Sequence, residues 1–266
     1  GLTSGIGIIF GANLGTTTGA WVIAGFGMKV KLATYAMPML VFGVILIFQK
    51  SAALKGSGYI LAGLGFLFLG IHHMKEGFEA FKQTIDLVEY AVEGYPGLFL
   101  FVAIGIFATV VMQSSHATLI LTITALAAGQ VTYDNALALA IGSNVGTTIT
   151  AILGAISASV SGRRLAVAHL IFNLVTGTIA ILLIKQFAAA VDWISALIGI
   201  GADDFTLKFA VFHTLFNLVG VILMLPLIGV LVTFLEKLLH EKAEPEETTR
   251  VLFLNKSALE FPDTAL

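Results

Sequence analysis

The sequence predicts an all-α polytopic membrane protein built from inverted repeats with broken or re-entrant helices. Three observations carry that prediction. First, the 266 residues are 58% hydrophobic and 11% charged, with a mean hydropathy of +0.98, and apolar runs near the length that crosses a bilayer recur from end to end. Second, the charges are gathered: eleven lie in the final 31 positions and seven between Lys75 and Glu93, so long stretches hold none. Third, Gly11-Ala12-Asn13-Leu14-Gly15-Thr16-Thr17 recurs as Gly142-Ser143-Asn144-Val145-Gly146-Thr147-Thr148. Lys29 and Lys31 follow the first copy and Arg163-Arg164 the second, and each basic turn leads into another apolar span, as internal duplication requires.

Composition also excludes several classes. A net charge of −2 without a basic patch gives no footprint for nucleic acid. The absence of cysteine removes thiolate nucleophiles, iron–sulfur sites and disulfides. The opening residues belong to a hydrophobic element rather than to a charged n-region with a cleavage site, so the chain reads as a fragment and not as one that starts with a signal peptide.

Taken in order, residues 1–74 read as the remainder of a first transmembrane repeat. An apolar stretch over 2–26 contains the Gly/Asn/Thr word, and spans follow at about 32–48 and 57–74. Residues 75–93 change character: Phe78, Phe81, Ile85, Val88 and Val92 recur at three- and four-residue steps, which predicts an amphipathic helix at the membrane surface, with a solvated connector as the alternative. Residues 94–235 read as a second repeat with the final spans. Residues 94–133 hold no charged side chain, yet forty residues in one helix would reach about 60 Å, twice the hydrocarbon thickness. A break is therefore required, and Gln113-Ser114-Ser115-His116 is its natural place. Residues 135–162 repeat the pattern, with Gly142–Thr148 as a second interruption. Spans at about 165–186 and 205–235 carry another duplicated word, His169-Leu170-Ile171-Phe172-Asn173 and His213-Thr214-Leu215-Phe216-Asn217, with His and Asn one helical turn apart. These pairs read as interhelical packing groups and not as metal ligands, since no carboxylate or cysteine joins them. Residues 236–266 form an acidic, polar tail.

Broken helices inside apolar sequence point to a binding site. Non-helical backbone survives at membrane depth only where protein or a water-filled cavity surrounds it. A half-helix N-terminus offers free N–H groups and partial positive charge to an anion such as phosphate, while freed carbonyls and hydroxyls suit Na⁺. For Gln113-Ser114-Ser115 the alternative is a kinked helix with hydroxyls bonded to the preceding turn. Residues 94–133 and 135–162 contain no Asp, Glu, Lys or Arg, so an intramembrane acid–base site has little material.

At these words the chain resembles the type II sodium/phosphate cotransporter family, in which each inverted repeat carries Gln-Ser-Ser-Ser followed by Gly-(Ala/Ser)-Asn-x-Gly-Thr-Thr. Gln113-Ser114-Ser115 with Gly142–Thr148 matches the second repeat, and Gly11–Thr17 matches the later word of the first. The resemblance covers about residues 1–235. It implies Na⁺-coupled symport of inorganic phosphate by alternating access in a multi-pass bacterial inner-membrane protein, with Na⁺ as coupling ion and no other cofactor. Phosphate would be held by Gln113, Ser114, Ser115, Asn144 and Thr147, with Asn13 and Thr16 from the other repeat. Na⁺ would be held by Gln113, Ser115, Thr118, Ser143, Asn144 and Thr148, with Thr17. His116 stands where the family has a third serine and would make transport pH-sensitive if it faces the site. The tail, with Phe253-Leu254-Asn255, resembles the approach to a cytoplasmic helical domain like the phosphate regulator PhoU. A phosphate-responsive sensor signalling through such a domain is the competing reading, and an enzyme acting on a lipid phosphate is a third, disfavoured by the shortage of general acids and bases.

Overall fold

The computed structural model describes residues 1–27, 32–82, 88 and 92–240. The described residues form helices without a strand: α1 (Leu2–Gly15), α2 (Thr17–Val22) with a π-helical turn at Ile23–Gly27, α3 (Leu32–Ile47), α4 (Ala52–Lys82), α5 (Gly94–Met112), α6 (Ser115–Ala127), α7 (Tyr133–Gly154), α8 (Val160–Leu182), α9 (Ile184–Leu197), α10 (Phe205–Met224), a 3₁₀ turn at Leu225–Leu227, and α11 (Ile228–Leu238). Six stretches are long and apolar enough to cross a bilayer. The protein is a multi-pass integral membrane protein, and large apolar side chains such as Phe42, Phe48, Ile60 and Phe107 are exposed on the isolated chain.

Local chemistry sets the boundaries. The side chains of Thr132, Ser159 and Asp204 cap α7, α8 and α10 by accepting an N–H from the first turn. Gly129, at φ +68°, ends α6, where the Gln130 N–H reaches back to the Ala125 carbonyl at 2.9 Å. Pro226 interrupts the last crossing between α10 and α11.

Three features depart from the sequence reading. Gly142–Thr148 does not interrupt a helix, because α7 runs unbroken from Tyr133 to Gly154. Its glycines serve packing instead. A Cβ at Gly142 would fall on the Val102 carbonyl oxygen, one at Gly105 would come within 2.5 Å of the Leu139 carbonyl oxygen, and one at Gly146 would lie 2.7 Å from Thr109 Cβ, so α5 and α7 approach backbone to backbone. The first copy is nearly continuous as well: Thr16 keeps helical dihedrals (φ −62°, ψ −22°) and its N–H bonds to Ala12 at 3.0 Å. The amphipathic stretch expected to begin at Lys75 starts inside α4, which continues to Lys82. Most of the remainder of the expected surface helix and all of 241–266 fall outside the described residues.

The packing reveals inverted topology. Close to the start of α8, Leu165 meets Gly5 near the start of α1. At the far end of α8, the Tyr95 hydroxyl reaches the Leu182 carbonyl at 3.4 Å, and Tyr95 shares one cavity with Thr132 and Asp134 at the start of α7. The helices carrying the two Gly/Asn/Thr words therefore run in opposite directions. So do α8 and α10, because the Tyr133 ring packs at a tilt against Phe205 at one end (centroids 5.3 Å apart), while at the other Arg164 donates from Nε and Nη2 to the Leu239 carbonyl at 3.0 and 2.8 Å.

Two apolar clusters hold this arrangement. One gathers Leu119, Ile123, Leu137, Ile141, Phe209, Phe212 and Phe216 where α6, α7 and α10 meet. The other seats Ile6 and Phe10 of α1 against Phe172, Met224, Leu231 and Leu235, with the Phe10 and Phe172 rings 4.5 Å apart. The glycine contacts are rigid on both sides. Gly142→Ala is expected to destabilise the protein by about 1–3 kcal/mol through overpacking, and Gly229→Ala, whose added methyl meets nothing within 4 Å, is expected to be neutral or slightly stabilising. Thermal unfolding of the two variants in detergent checks this.

Candidate functional site

The chain does break where Gln113-Ser114-Ser115 lies. Gln113 takes the left-handed conformation (φ 52°, ψ 28°), alone among the described non-glycine residues, at a cost of about 1–2 kcal/mol that marks a constrained position. Ser114 is extended (φ −154°, ψ 109°), and its Oγ accepts the Ala117 N–H at 3.2 Å, capping α6. The Ser114 carbonyl takes the Thr118 N–H at 3.2 Å and the Thr118 hydroxyl at 3.3 Å.

The break reverses the chain. Thr109 and Thr118 share a hydrogen bond of 2.8 Å although nine residues separate them, and an unbroken helix would set them about 13.5 Å apart. Residues 93–95 and 132–135 line a single cavity of about 500 Å³ together with Lys185, so α5 and α6 enter and leave at one end of the molecule. They form a re-entrant hairpin with Gln113–Ser115 at its tip.

At that tip the N–H groups of Ser115 and His116 have no acceptor among the described residues, as befits the first positions of a helix. Gln113 is exposed, and Ser114 and Ser115 are half-buried. The tip thus presents two backbone donors, serine hydroxyls and the positive end of a helix dipole, with no acidic residue in either arm. His116 reaches across to the other repeat: a Cβ at Gly19 of α2 would lie 2.7 Å from its Cδ2 and 3.0 Å from its Nε2.

The duplicated words hold their hydroxyls within their own helices. Thr16 bonds to the Asn13 carbonyl (2.7 Å), Thr17 to Leu14 (2.8 Å), Thr147 to Ser143 (3.0 Å), Thr148 to Val145 (2.6 Å) and Ser143 to Ala140 (2.8 Å). Their asparagines instead reach outward, and each meets an asparagine of the His-x-x-x-Asn word. Asn144 Nδ2 donates to Asn217 Oδ1 at 2.9 Å, and His213 Nε2 lies 3.3 Å from Asn144 Oδ1. The word of the first repeat is met likewise: Asn173 Nδ2 of α8 donates to Asn13 Oδ1 at 3.4 Å. All five side chains are buried except that Asn13 and Asn144 retain slight exposure, 8% and 5%.

The structure therefore gathers the candidate residues into two neighbourhoods. Ser114 and Thr118 connect to the α7 word through Thr109, which packs on Gly146. Asn13, Thr16 and Thr17 lie on α1 and α2, and no hydrogen bond among the described residues links them to Gln113–Ser115. Near the hairpin, the first repeat comes up at Gly19 beside His116, and Trp21 Nε1 donates to the Thr214 hydroxyl at 2.9 Å. Sequence reasoning singled out His213 and Asn217 without connecting them to Asn144, and it missed Thr109 and Trp21. The available signal was that both words occur twice and in the same order. Replacing either clasp hydroxyl, in Thr109→Val or Thr118→Val, is expected to destabilise the hairpin by about 0.6–1.5 kcal/mol, with the double variant costing little more than either single one. Unfolding midpoints across that cycle measure the coupling.

Among known families, the Na⁺/Pi-cotransporter family model matches residues 1–76 and 97–211. Two relatives carry the name "Putative inorganic phosphate export protein YjbB". The Salmonella typhimurium protein is 26% identical over 269 residues, covering 100% of this chain and 47% of the relative. The Escherichia coli K12 protein is 27% identical over 263 residues, covering 97% and 46%. The Bacillus subtilis "Uncharacterized protein YqeW" is 27% identical over 241 residues, covering 89% of this chain and 73% of the relative. The chain spans about half the length of the two YjbB relatives it matches. No solved structure matches it.

Proposed function

The chain belongs to the Na⁺/Pi-cotransporter family, and from that premise we propose that it carries inorganic phosphate across a bacterial inner membrane, coupled to Na⁺, by alternating access. The observation that carries this reading is the tip of the α5–α6 hairpin. There a capped half-helix N-terminus, with the N–H groups of Ser115 and His116 and the serine hydroxyls, faces away from the packed core without a competing carboxylate. Such a cradle suits a tetrahedral oxyanion stripped of part of its hydration. Ser114, Ser115 and the tip backbone take the phosphate in this reading. Gln113, Asn144, Thr147 and, from the first repeat, Asn13 and Thr16 assist. Na⁺ takes oxygen ligands from Gln113, Ser115, Thr118, Ser143, Asn144, Thr148 and Thr17. Hydroxyls that donate to their own helix keep oxygen lone pairs for a cation, which supports that division of labour.

The word "export" in two relatives' names favours a second version of the same reading, in which the physiological flux runs outward. A carrier obeys whichever gradient dominates, so both versions use one site.

The test is phosphate flux in liposomes containing the full-length protein, measured with labelled phosphate under an inward and then an outward Na⁺ gradient, with K⁺ replacement as control. Gradient-dependent flux is expected, and Ser114→Ala and Asn144→Ala are expected to lower it at least ten-fold while the protein stays folded. Flux indifferent to Na⁺ would remove the coupling, and phosphate binding without flux would favour the sensor.

A further inference from the structure

We propose that the buried clusters Asn13–His169–Asn173 and Asn144–His213–Asn217 are matched latches that close in alternation as the carrier changes the side it faces. This rests on the alternating-access reading above. Each cluster joins a Gly/Asn/Thr word to a His-x-x-x-Asn word, and each is assembled from two helices: α1 with α8, and α7 with α10. Because α1 opposes α7 and α8 opposes α10, the clusters are inverted copies lying deep within the apolar spans.

The two copies are caught in different states. In the second, Asn144 Nδ2 donates to Asn217 Oδ1 at 2.9 Å, His213 Nε2 lies 3.3 Å from Asn144 Oδ1, and Asn217 Nδ2 donates to the His213 carbonyl at 2.8 Å. Only His213 Nδ1 is left over. In the first, a single 3.4 Å hydrogen bond links the two asparagines, although α1 and α8 also pack through Phe10 and Phe172. Asn13 Nδ2 turns back to the Ile9 carbonyl at 3.0 Å and Asn173 Nδ2 also faces the His169 carbonyl at 3.2 Å. His169 Nε2 and Asn173 Oδ1 are buried without a partner, although the same chemistry satisfies their counterparts in the second copy.

An unpaired amide or imidazole inside a lipid-embedded protein is costly, since no water is there to replace the lost bond. The open cluster is therefore biased toward closure. In an inverted repeat, closing one copy while opening the other returns the molecule to the mirror arrangement at nearly equal free energy. Two facings of similar stability are what a carrier that turns over requires. Asn13 and Asn144 sit in the words whose threonines and backbone flank the binding region, so the latch that shuts moves the helix that lines the site. His169, Asn173, His213 and Asn217 are thus positioning residues.

The test uses the full-length protein in vesicles, with Ser115→Cys as the sole cysteine and a membrane-impermeant maleimide added to either side. Asn217→Ser is expected to change the ratio of labelling from the two sides about three-fold in one direction, and Asn173→Ser about three-fold in the other, the size of effect expected from loss of one interhelical hydrogen bond. The double variant is expected to return the ratio close to its starting value, a cancellation that merely structural damage would not produce. Shifts of the same sign, no shift, or a double variant that adds rather than cancels would overturn the proposal. If a serine variant does not survive extraction, Asn217→Gln and Asn173→Gln replace that pair with the same opposite signs expected. Labelling from one side only in every variant also overturns the latch, and flux by the unsubstituted protein in the same vesicles tells whether the transport reading falls with it.

Discussion

Hydrocarbon supplies no hydrogen bonds, and that constraint organises everything polar in this molecule. Threonine and serine hydroxyls inside the spans bond to carbonyls three or four residues back, which lets them sit at depth without breaking the helix. Asparagines have too many donors and acceptors to be satisfied that way, so they reach a neighbouring helix and become the interhelical ties. At the hairpin tip a left-handed Gln113 and a serine cap limit the exposed backbone to the first N–H groups of α6. Polarity at depth thus takes three forms here: bonding within a helix, tying helices together, and leaving open donors at the hairpin tip.

Much of the architecture was legible in the sequence because the same constraint shapes composition. Forty uncharged residues with a polar centre had to turn back, and they do. Duplicated words implied duplicated structure, and the helices that carry them run in opposite directions. What could not be read was the use of glycine. Gly142 and Gly146 resemble a break when seen along one chain, but they are flat patches for Val102, Ile106 and Thr109 of α5, and that requirement exists only once the second helix is in place. The asparagine partnerships were hidden for a similar reason. Asn144 and Asn217 are separated by 73 residues, and neither helix's periodicity says which face meets which.

Charge is managed at the edges. Lys208, almost wholly buried, is neutralised by Asp192 at 2.7 Å, which fastens the amphipathic α9 to the start of α10. Arg164 is satisfied by a carbonyl at the end of α11, where the helix dipole is negative. Both cations act as fasteners at the ends of helices.

The hairpin also alters how the chain must be counted. Gly94–Met112 has the length and hydropathy of a crossing, yet α5 with α6 brings the polypeptide back to the end of the molecule it left. Glu93 and Asp134, on either side of this excursion, line one cavity with Lys185. A topology drawn by tallying hydrophobic stretches would assign those residues to opposite compartments and turn every loop after residue 112 upside down. The parity of this fold is set by counting α5 and α6 together, as one element whose two ends lie at the same end of the molecule.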